Sequence, residues 1–474
     1  MMELQQILQQ RFGYDAFREG QQEIIEAVLS GHDTLALLPT GMGKSLCYQL
    51  PGYVVEGTIL VISPLLSLMQ DQVEQLRQFG EKRVAALNSF LSFDDKQFVW
   101  QHFDAFRFLF LSPEMLASDA VKNRLQQMKL GLIVVDEAHC ISQWGFDFRP
   151  EYLQIAEALP KERPPILALS ATATNQIMRD ITHYLGMEKV STFIHSVDRK
   201  NIHYEAVETT SFEKANAIIQ QVTQFEGPGI IYTQSRKRTM EYASMLQQVG
   251  IRATFYHGGM EQQDRMFVQR QFMHDEVDWI CATNAFGMGI HKNNIRQIIH
   301  DHLPQNVASY MQEVGRAGRD GGEALATLYY EKRDAERTLE MATLDLPTDW
   351  HISRYMACEE PQQLVEAGEM TETAFRVLHY WMRQLAPLQV SQKIQELASE
   401  KQQQVMALAK IITAPCIRTQ LVAYFDEELL EKPKNCCSGC GLQKREILAP
   451  YIKKNEPKAL ENWQSRLKQL LPFN

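Results

Sequence analysis

No run of 18 apolar residues occurs in this 474-residue chain, so a membrane-crossing helix is not expected. The N-terminus, "MMELQQILQQRFGYD", lacks the basic start and apolar core of a secretory leader and has acidic and amide side chains instead. These absences point to a cytoplasmic protein. Low-complexity tracts and short repeats are missing too. Positive charge is in deficit, 48 Lys and Arg against 58 Asp and Glu, a net charge of −10. The balance argues mildly against a polyanionic partner, although local basic stripes decide such binding more than the sum does. Cysteine is scarce. Four of the eight (Cys47, Cys140, Cys281, Cys358) are scattered, whereas Cys416, Cys436, Cys437 and Cys440 crowd into 25 residues. In a cytosolic chain such clustering points to metal before disulfide.

What is present reads as several folded domains. A hydrophobic content of 45% and a charged content of 22% are ordinary for a globular chain, and the length suggests roughly two to four domains. Short apolar runs recur, each ending in polar or glycine-rich punctuation: "TLALLPTG", "TILVISP", "FRFLFLSP", "LIVVDEAH", "PILALSAT", "GIIYTQS", "WICATNA" and "IRQIIH". Between them lie stretches of helical periodicity, such as "LLSLMQDQVEQLRQFG" and "RKRTMEYASMLQQVG". Strands alternating with helices predict an α/β fold with parallel sheets covered on both faces. Ligands of such sheets sit just past the carboxyl ends of the strands. The series breaks over about 186–205 and restarts, which predicts two α/β domains, 1–198 and 199–345, joined by a short linker. A helical module carrying the cysteine cluster is expected over 346–445, followed by a tail, 446–474. In "QKIQELASEKQQQVMALAKIITA", Leu397, Val405, Leu408 and Ile412 can share one helical face.

The first chemical signal is "LLPTGMGKSLCYQ". Thr40, Gly41, Met42, Gly43, Lys44 and Ser45 follow an apolar strand and precede a helical stretch. Glycines let backbone N–H groups close around phosphates, a lysine reaches the terminal phosphates, and a serine hydroxyl can ligate magnesium. The common pattern would place glycine at position 38, where this chain has Leu38; a plain strand-to-helix turn would leave the same residues. The second signal is Asp136 and Glu137 at the end of "LIVVD". An acid there can hold magnesium, and its neighbour can orient and deprotonate water; a helix N-cap is the simpler reading of the pair alone. The third is "QEVGRAGRDG", with Gln312, Arg316 and Arg319. Inserted arginines stabilise the charge of phosphoryl transfer, though alone these two would read as solvated loop charges.

Directly after the acidic pair come Trp144, Phe146, Phe148 and Arg149. Aromatic faces stack on the bases of single strands at ~1–3 kcal/mol per base without demanding a sequence; phenylalanines on a loop also commonly seal a core. Weaker candidates for strand contact are Ser63, Ser235, Arg236, His257 and Thr283, whose phosphate contacts would fix register and confer little sequence preference. In the cysteine cluster, Cys437 and Cys440 have CxxC spacing, and four thiolates around one zinc ion would hold a poorly cored segment together. Adjacent Cys436 and Cys437 can share an ion only across a bent backbone, and buried free thiols are the alternative.

Together these stretches resemble the RecQ family of superfamily 2 DNA helicases. The resemblance runs in order through "FGYDAFREGQQEII", "PTGMGKS", "VISPLLSLMQDQV", "DEAHCISQWGFDFRP", "LALSATAT", "YHGGM", "ATNAFGMGIHKNNIRQIIHDHLP" and "QEVGRAGRDG", and resumes at "CIRTQLVAYFDE". It implies two tandem RecA-like domains and a helical zinc-binding module, with ATP, magnesium and zinc as cofactors. Tyr14 would stack on adenine while Arg18 and Gln21 bond its edge. Ser170 to Thr172 would couple hydrolysis to movement, Gly287 and Gly289 would approach nucleotide or strand, and Arg319 is the preferred arginine finger. The aromatic-rich loop would couple strand binding to hydrolysis. The implied activity is ATP-dependent 3′ to 5′ DNA unwinding in recombination, repair or fork maintenance. Single-stranded and branched or tailed DNA are the implied partners, with single-strand-binding or other repair proteins alongside, for a monomer in the cytoplasm near the nucleoid. An RNA helicase and a non-unwinding ATP-gated clamp remain the rival readings.

The chain departs from the family pattern at its last three cysteines, which lack the even spacing of many members, and in two further places. From Arg319 to Cys416 it is longer than expected, so 346–400 reads as an extra helical element. Only 34 residues follow Cys440, too few for the winged-helix and HRDC-type domains of longer relatives, so modest unwinding without a partner is expected. The stretch from Lys444 to Lys468 has seven basic and three acidic residues and reads as a solvated helix or a contact for DNA or a partner.

Overall fold

The structure, a computed structural model, describes residues 2–452 except 65, 89–90, 117, 143–148 and 288–291. Seven strands form the first sheet: β1 (Thr34–Leu37), β2 (Thr58–Ile62), β3 (Val84–Leu87), β4 (Phe108–Leu111), β5 (Leu130–Val135), β6 (Ile166–Ser170) and β7 (Ser191–Ile194). They lie in the order β3-β4-β2-β5-β6-β1-β7, all parallel. Alternate residues feed two separate cores. Leu35, Leu37, Leu60, Ile62, Ile133 and Val135 face one way; Ala36, Leu38, Ile59, Val61, Leu132 and Val134 face the other. Burial on both faces is why these strands read as unbroken apolar runs.

A second parallel sheet of six strands follows: β8 (Ile202–Glu208), β9 (Gly229–Tyr232), β10 (Ala253–Tyr256), β11 (Trp279–Ala282), β12 (Gln297–His300) and β13 (Ala324–Tyr330), ordered β10-β11-β9-β12-β13-β8. Both lobes are RecA-like. The expected linker over 186–205 is narrower than the sequence break: β7 and β8 occupy its two ends. Strand β7 sits at a sheet edge with no fully buried residue, so it has no apolar run to betray it.

Parallel pairing lines up the carboxyl ends. Leu37 pairs with Ser170 and Ile62 with Val135, so the loops after β1, β2, β5 and β6 open at one edge of the sheet. That edge collects Thr40 to Ser45, Ser63, Asp136, Glu137 and Thr172.

The helical module contains Asp349–Ala357, Gln363–Glu366, Glu372–Met382, Pro387–Ile412 and Ile417–Tyr424. Its 26-residue helix, about 39 Å long at ~1.5 Å per residue, serves two cores. Val390, Ile394 and Leu397 pack with Phe375, Leu378 and Trp381 in a core of the module's own. Val405, Leu408, Ile411 and Ile412 join the core of the second lobe. All four residues of the face read from sequence are buried. Among the described residues no helix is long and apolar enough to cross a membrane.

Candidate functional site

A cleft of about 350 Å³ separates the lobes, lined from the first by Tyr14, Arg18, Gln21, Thr40, Gly41, Gly43, Lys44, Ser45, Asp136 and Glu137, and from the second by Gly287, Asn293, Gln312, Arg316 and Arg319. The glycine loop between β1 and the helix Leu46–Gln49 lies beneath the second lobe. Gly41 has φ +95°, and a Cβ there would fall 3.0 Å from Arg319 Cγ; a Cβ on Gly315 would fall 2.4 Å from Thr40 Oγ1. A side chain at either position would press on a side chain of the opposite lobe. Met42 offers its carbonyl to Gln21 Nε2 at 2.9 Å, and Gly43 accepts from the same nitrogen at 3.0 Å. Arg18 donates to the Gly41 carbonyl. The groups expected at an adenine edge thus also brace the glycine loop, while Tyr14 stays half-exposed at the mouth of the cleft.

Glu137 adopts a left-handed backbone, φ 47°, a conformation that carries strain in any residue with a side chain. One carboxylate oxygen lies 3.4 Å from Lys44 Nζ. The other is buried, 3.4 Å from His139 Nδ1, and accepts no hydrogen bond among the described residues. Burial works to push Glu137 up, but Lys44, His139 and Arg316 outweigh it and hold its carboxyl below the ordinary value. Asp136 goes the other way: burial, then repulsion from Glu137, push it up to about 6. Such an acid gains most from a bound cation, and with the Ser45 hydroxyl at the same edge the pair suits magnesium.

Cations crowd the opposite wall. Burial, then repulsion from Arg316 and Arg199, bring Arg319 down to about 9, with Arg18 adding to the effect. Arg316 is buried and donates to the Gly287 carbonyl. Arg199 reaches the Gly315 carbonyl at 2.9 Å and also bonds that of Gly318. Positive charges gathered at and behind one cleft, Arg316 buried and Arg319 half-buried among them, repel each other until a polyanion enters, and a nucleoside triphosphate fits that need.

His139, Tyr152, Arg199 and Asn293 escaped the sequence reading. His139 Nδ1 pairs with Ser170 Oγ at 2.9 Å, and Ser170 Oγ donates to the Thr172 carbonyl at 2.9 Å. This is a direct path from Glu137 to the "SAT" stretch. The Tyr152 hydroxyl donates to the Asp136 carbonyl at 2.9 Å. His139 stood in plain sight within "DEAH", but its partner comes from the neighbouring strand.

The strand-contact candidates are spread more widely. Trp144, Phe146 and Phe148 lie outside the described residues, as does Gly289. Arg149 Nη1 donates to the Pro64 carbonyl at 3.1 Å. Ser63 and His257 are buried, and their Oγ and Nδ1 accept and donate no hydrogen bond among the described residues. Ser235 Oγ accepts from the Arg238 N–H at 3.2 Å, capping the helix Arg236–Gln248. The guanidinium of Arg236 packs over Gly259, and Thr283 is half-buried after β11.

The four clustered cysteines converge, all sulfurs lying within 4.8 Å of one another. Cys416 to Cys436 is 3.8 Å and Cys437 to Cys440 is 3.6 Å. A tetrahedron with Zn–S bonds of ~2.3 Å has edges of ~3.8 Å, so a zinc ion fits this group. Left-handed residues bracket the segment, Asn435 at φ 59° directly before Cys436 and Gly441 at φ 81° directly after Cys440. From the neighbouring helix, fully buried Arg418 bonds Asp198 and the carbonyls of Arg199 and Ile202, with its guanidinium 5.0 Å above the Tyr204 ring. The cysteine module is thereby pinned to the connection between the lobes.

Comparison with known proteins fits this geometry. Residues 18–181 match the DEAD/DEAH box helicase family, and 213–321 match the helicase conserved C-terminal domain. The chain is 41% identical to a probable ATP-dependent DNA helicase RecS of Bacillus subtilis, over 99% of this chain and 98% of that one. It is also 41% identical to an ATP-dependent DNA helicase RecQ of Pasteurella multocida, over 77% of this chain and 57% of the relative. It spans about half the length of such RecQ relatives. Among solved structures, the DUF1998 helicase MrfA bound to DNA has a TM-score of 0.60 at 20% identity, covering 72% of this chain and 53% of that one. The DEAD-box helicase Mss116 bound to single-stranded RNA and UDP-BeF has 0.59 at 16%, covering 86% and 90%. At those identities the likeness is one of fold.

Proposed function

Because the chain belongs to the RecQ family of ATP-dependent DNA helicases, we propose that it couples ATP hydrolysis to 3′ to 5′ movement along single-stranded DNA and opens duplexes in its path. What supports this most is the convergence of the phosphate loop, the Asp136–Glu137 pair and the Arg316–Arg319 pair on one cleft between two lobes. Lys44 exchanges Glu137 for the terminal phosphates of ATP, leaving the carboxylate to accept a proton from the attacking water. Arg316 and Arg319 then meet the charge that spreads over the transferred phosphoryl group. Ser45 and Asp136 would hold magnesium, whose chemistry there is to neutralise phosphate charge. Since Thr40 and Gly315 touch across the cleft, occupancy is tied to lobe closure, and His139 links Glu137 to Thr172 at the lobe interface. The aromatic-rich loop and Arg149 would announce the strand.

Purified protein should show ATP hydrolysis stimulated far more by DNA than by RNA oligonucleotides, with strand separation on 3′-tailed and not on 5′-tailed duplexes. Preference for RNA would replace the assignment with an RNA helicase. Stimulated hydrolysis without separation on any fork would replace it with a DNA clamp.

The cysteine cluster is assigned to structural zinc. Chelation should speed hydrogen exchange over residues 416–441 and the neighbouring Tyr204, while β1, β2, β5 and β6 stay protected, because metal affinity there is folding energy. Unchanged exchange at the cluster would mean free thiols.

A further inference from the structure

Tyr232, the last residue of β9, lies behind the arginines of the cleft without lining it. It is fully buried, and its hydroxyl donates to the Phe286 carbonyl at 3.0 Å. The same oxygen accepts from the Arg316 guanidinium, while Arg316 Nη1 donates to the carbonyl of the next residue, Gly287. Tyrosine, arginine and the Phe286–Gly287 stretch thus close one ring of hydrogen bonds. Only a glycine permits it, since a Cβ at 287 would fall 2.4 Å from Arg316 Cζ. The aromatic ring is held in turn, stacked on buried His300 with centroids 5.3 Å apart and planes 22° from parallel. His300 Nε2 pairs with Glu313 Oε2 at 2.8 Å, and the Glu313 carbonyl accepts from the Arg316 backbone N–H at 3.3 Å. Arg316 is therefore fixed at both tip and backbone. Burial, the largest influence, pushes the Tyr232 phenol up to about 12, so it stays protonated and serves as donor and acceptor at once.

We propose that Tyr232 is a positioning residue for ATP hydrolysis: its hydroxyl holds the Arg316 guanidinium in the cleft wall, so that the arginine meets the charge of the transferred phosphoryl group without first having to turn. This rests on the reading of Arg316 as one of the two arginines that meet that charge. A guanidinium released from the hydroxyl keeps its charge and still attracts ATP. It stabilises the transition state only while it happens to be aligned. The loss then falls on turnover and leaves nucleotide affinity alone.

The test uses the full chain with its zinc and a saturating thymidine oligonucleotide, reading kcat for ATP hydrolysis beside the dissociation constant of a fluorescent ATP analogue. Tyr232→Phe keeps the ring, its stack on His300 and the packed volume, so the second lobe keeps its fold. It should lower kcat about tenfold, the equivalent of ~1.4 kcal/mol, with nucleotide affinity within about twofold of the parent. Added to Arg316→Ala, the same substitution should change kcat by less than about twofold, because the residue it acts through is gone. A tenfold loss that persists without Arg316 would reduce Tyr232 to a general structural role and overturn the proposal. So would a matching loss of nucleotide affinity, or an unchanged kcat. Arg316→Ala alone tells the two readings apart. If it retains near-parent turnover, the arginine assignment fails; if it lowers turnover while Tyr232→Phe is silent, only the role of Tyr232 does.

Discussion

Glu137→Gln is expected to keep ATP and single-stranded DNA binding while lowering turnover by roughly 10²- to 10⁴-fold, the usual contribution of a positioned general base. The substitution preserves shape, so the left-handed turn at φ 47° and the approach of Lys44 survive. What disappears is the negative charge that Lys44, His139 and Arg316 stabilise, together with any capacity to take a proton from water. The introduced amide would still offer an oxygen to Lys44 but with a weaker hold, so ATP affinity should be retained or improved. Single-turnover hydrolysis beside a fluorescent-nucleotide binding titration checks both halves. Retained turnover would remove Glu137 from its role.

Arg319→Ala is expected to cost about 10³- to 10⁵-fold in hydrolysis, the range seen for inserted arginines, with much less effect on ATP affinity. Its side chain crosses the lobe boundary to lie over Gly41, where charge grows only as the phosphoryl group transfers. Arg316 is the informative control. It is anchored to the Gly287 carbonyl, so its removal should loosen lobe packing and weaken ATP binding as well as turnover. If Arg319→Ala retains near-parent rates while Arg316→Ala does not, the finger assignment passes to Arg316.

Much of this design could be read from residue order, and what could not has physical causes. The phosphate loop, the acidic pair and the arginines are local patterns at strand ends, and parallel pairing then collects them along one edge. Strands buried on both faces show as apolar runs. Strand β13, "ALATLYY", is equally buried over most of its length but has only two leucines among alanine, threonine and tyrosine, and edge strand β7 has no buried residue, so neither announced itself. The path from Glu137 through His139 to Ser170 spans 31 residues between its last two members, and Arg376, on the helix Glu372–Met382, meets Glu151 and Glu114 of the first lobe, 225 and 262 residues away. No spacing rule reaches across such intervals. The cysteine cluster was awkward for the same reason, since Cys416 meets Cys436 from 20 residues away, with the left-handed Asn435 directly before Cys436.

The long helix Pro387–Ile412 has one end welded into the second lobe and the other carrying the insertion that leans on the first. It is therefore a boom. A hinge rotation of about 10° would swing its far tip through an arc of roughly 7 Å, given a length of about 39 Å. If each ATP closes the lobes as proposed, salt links at the tip would part and re-form with that closure, and a pair of dyes placed across them would report one excursion per ATP consumed.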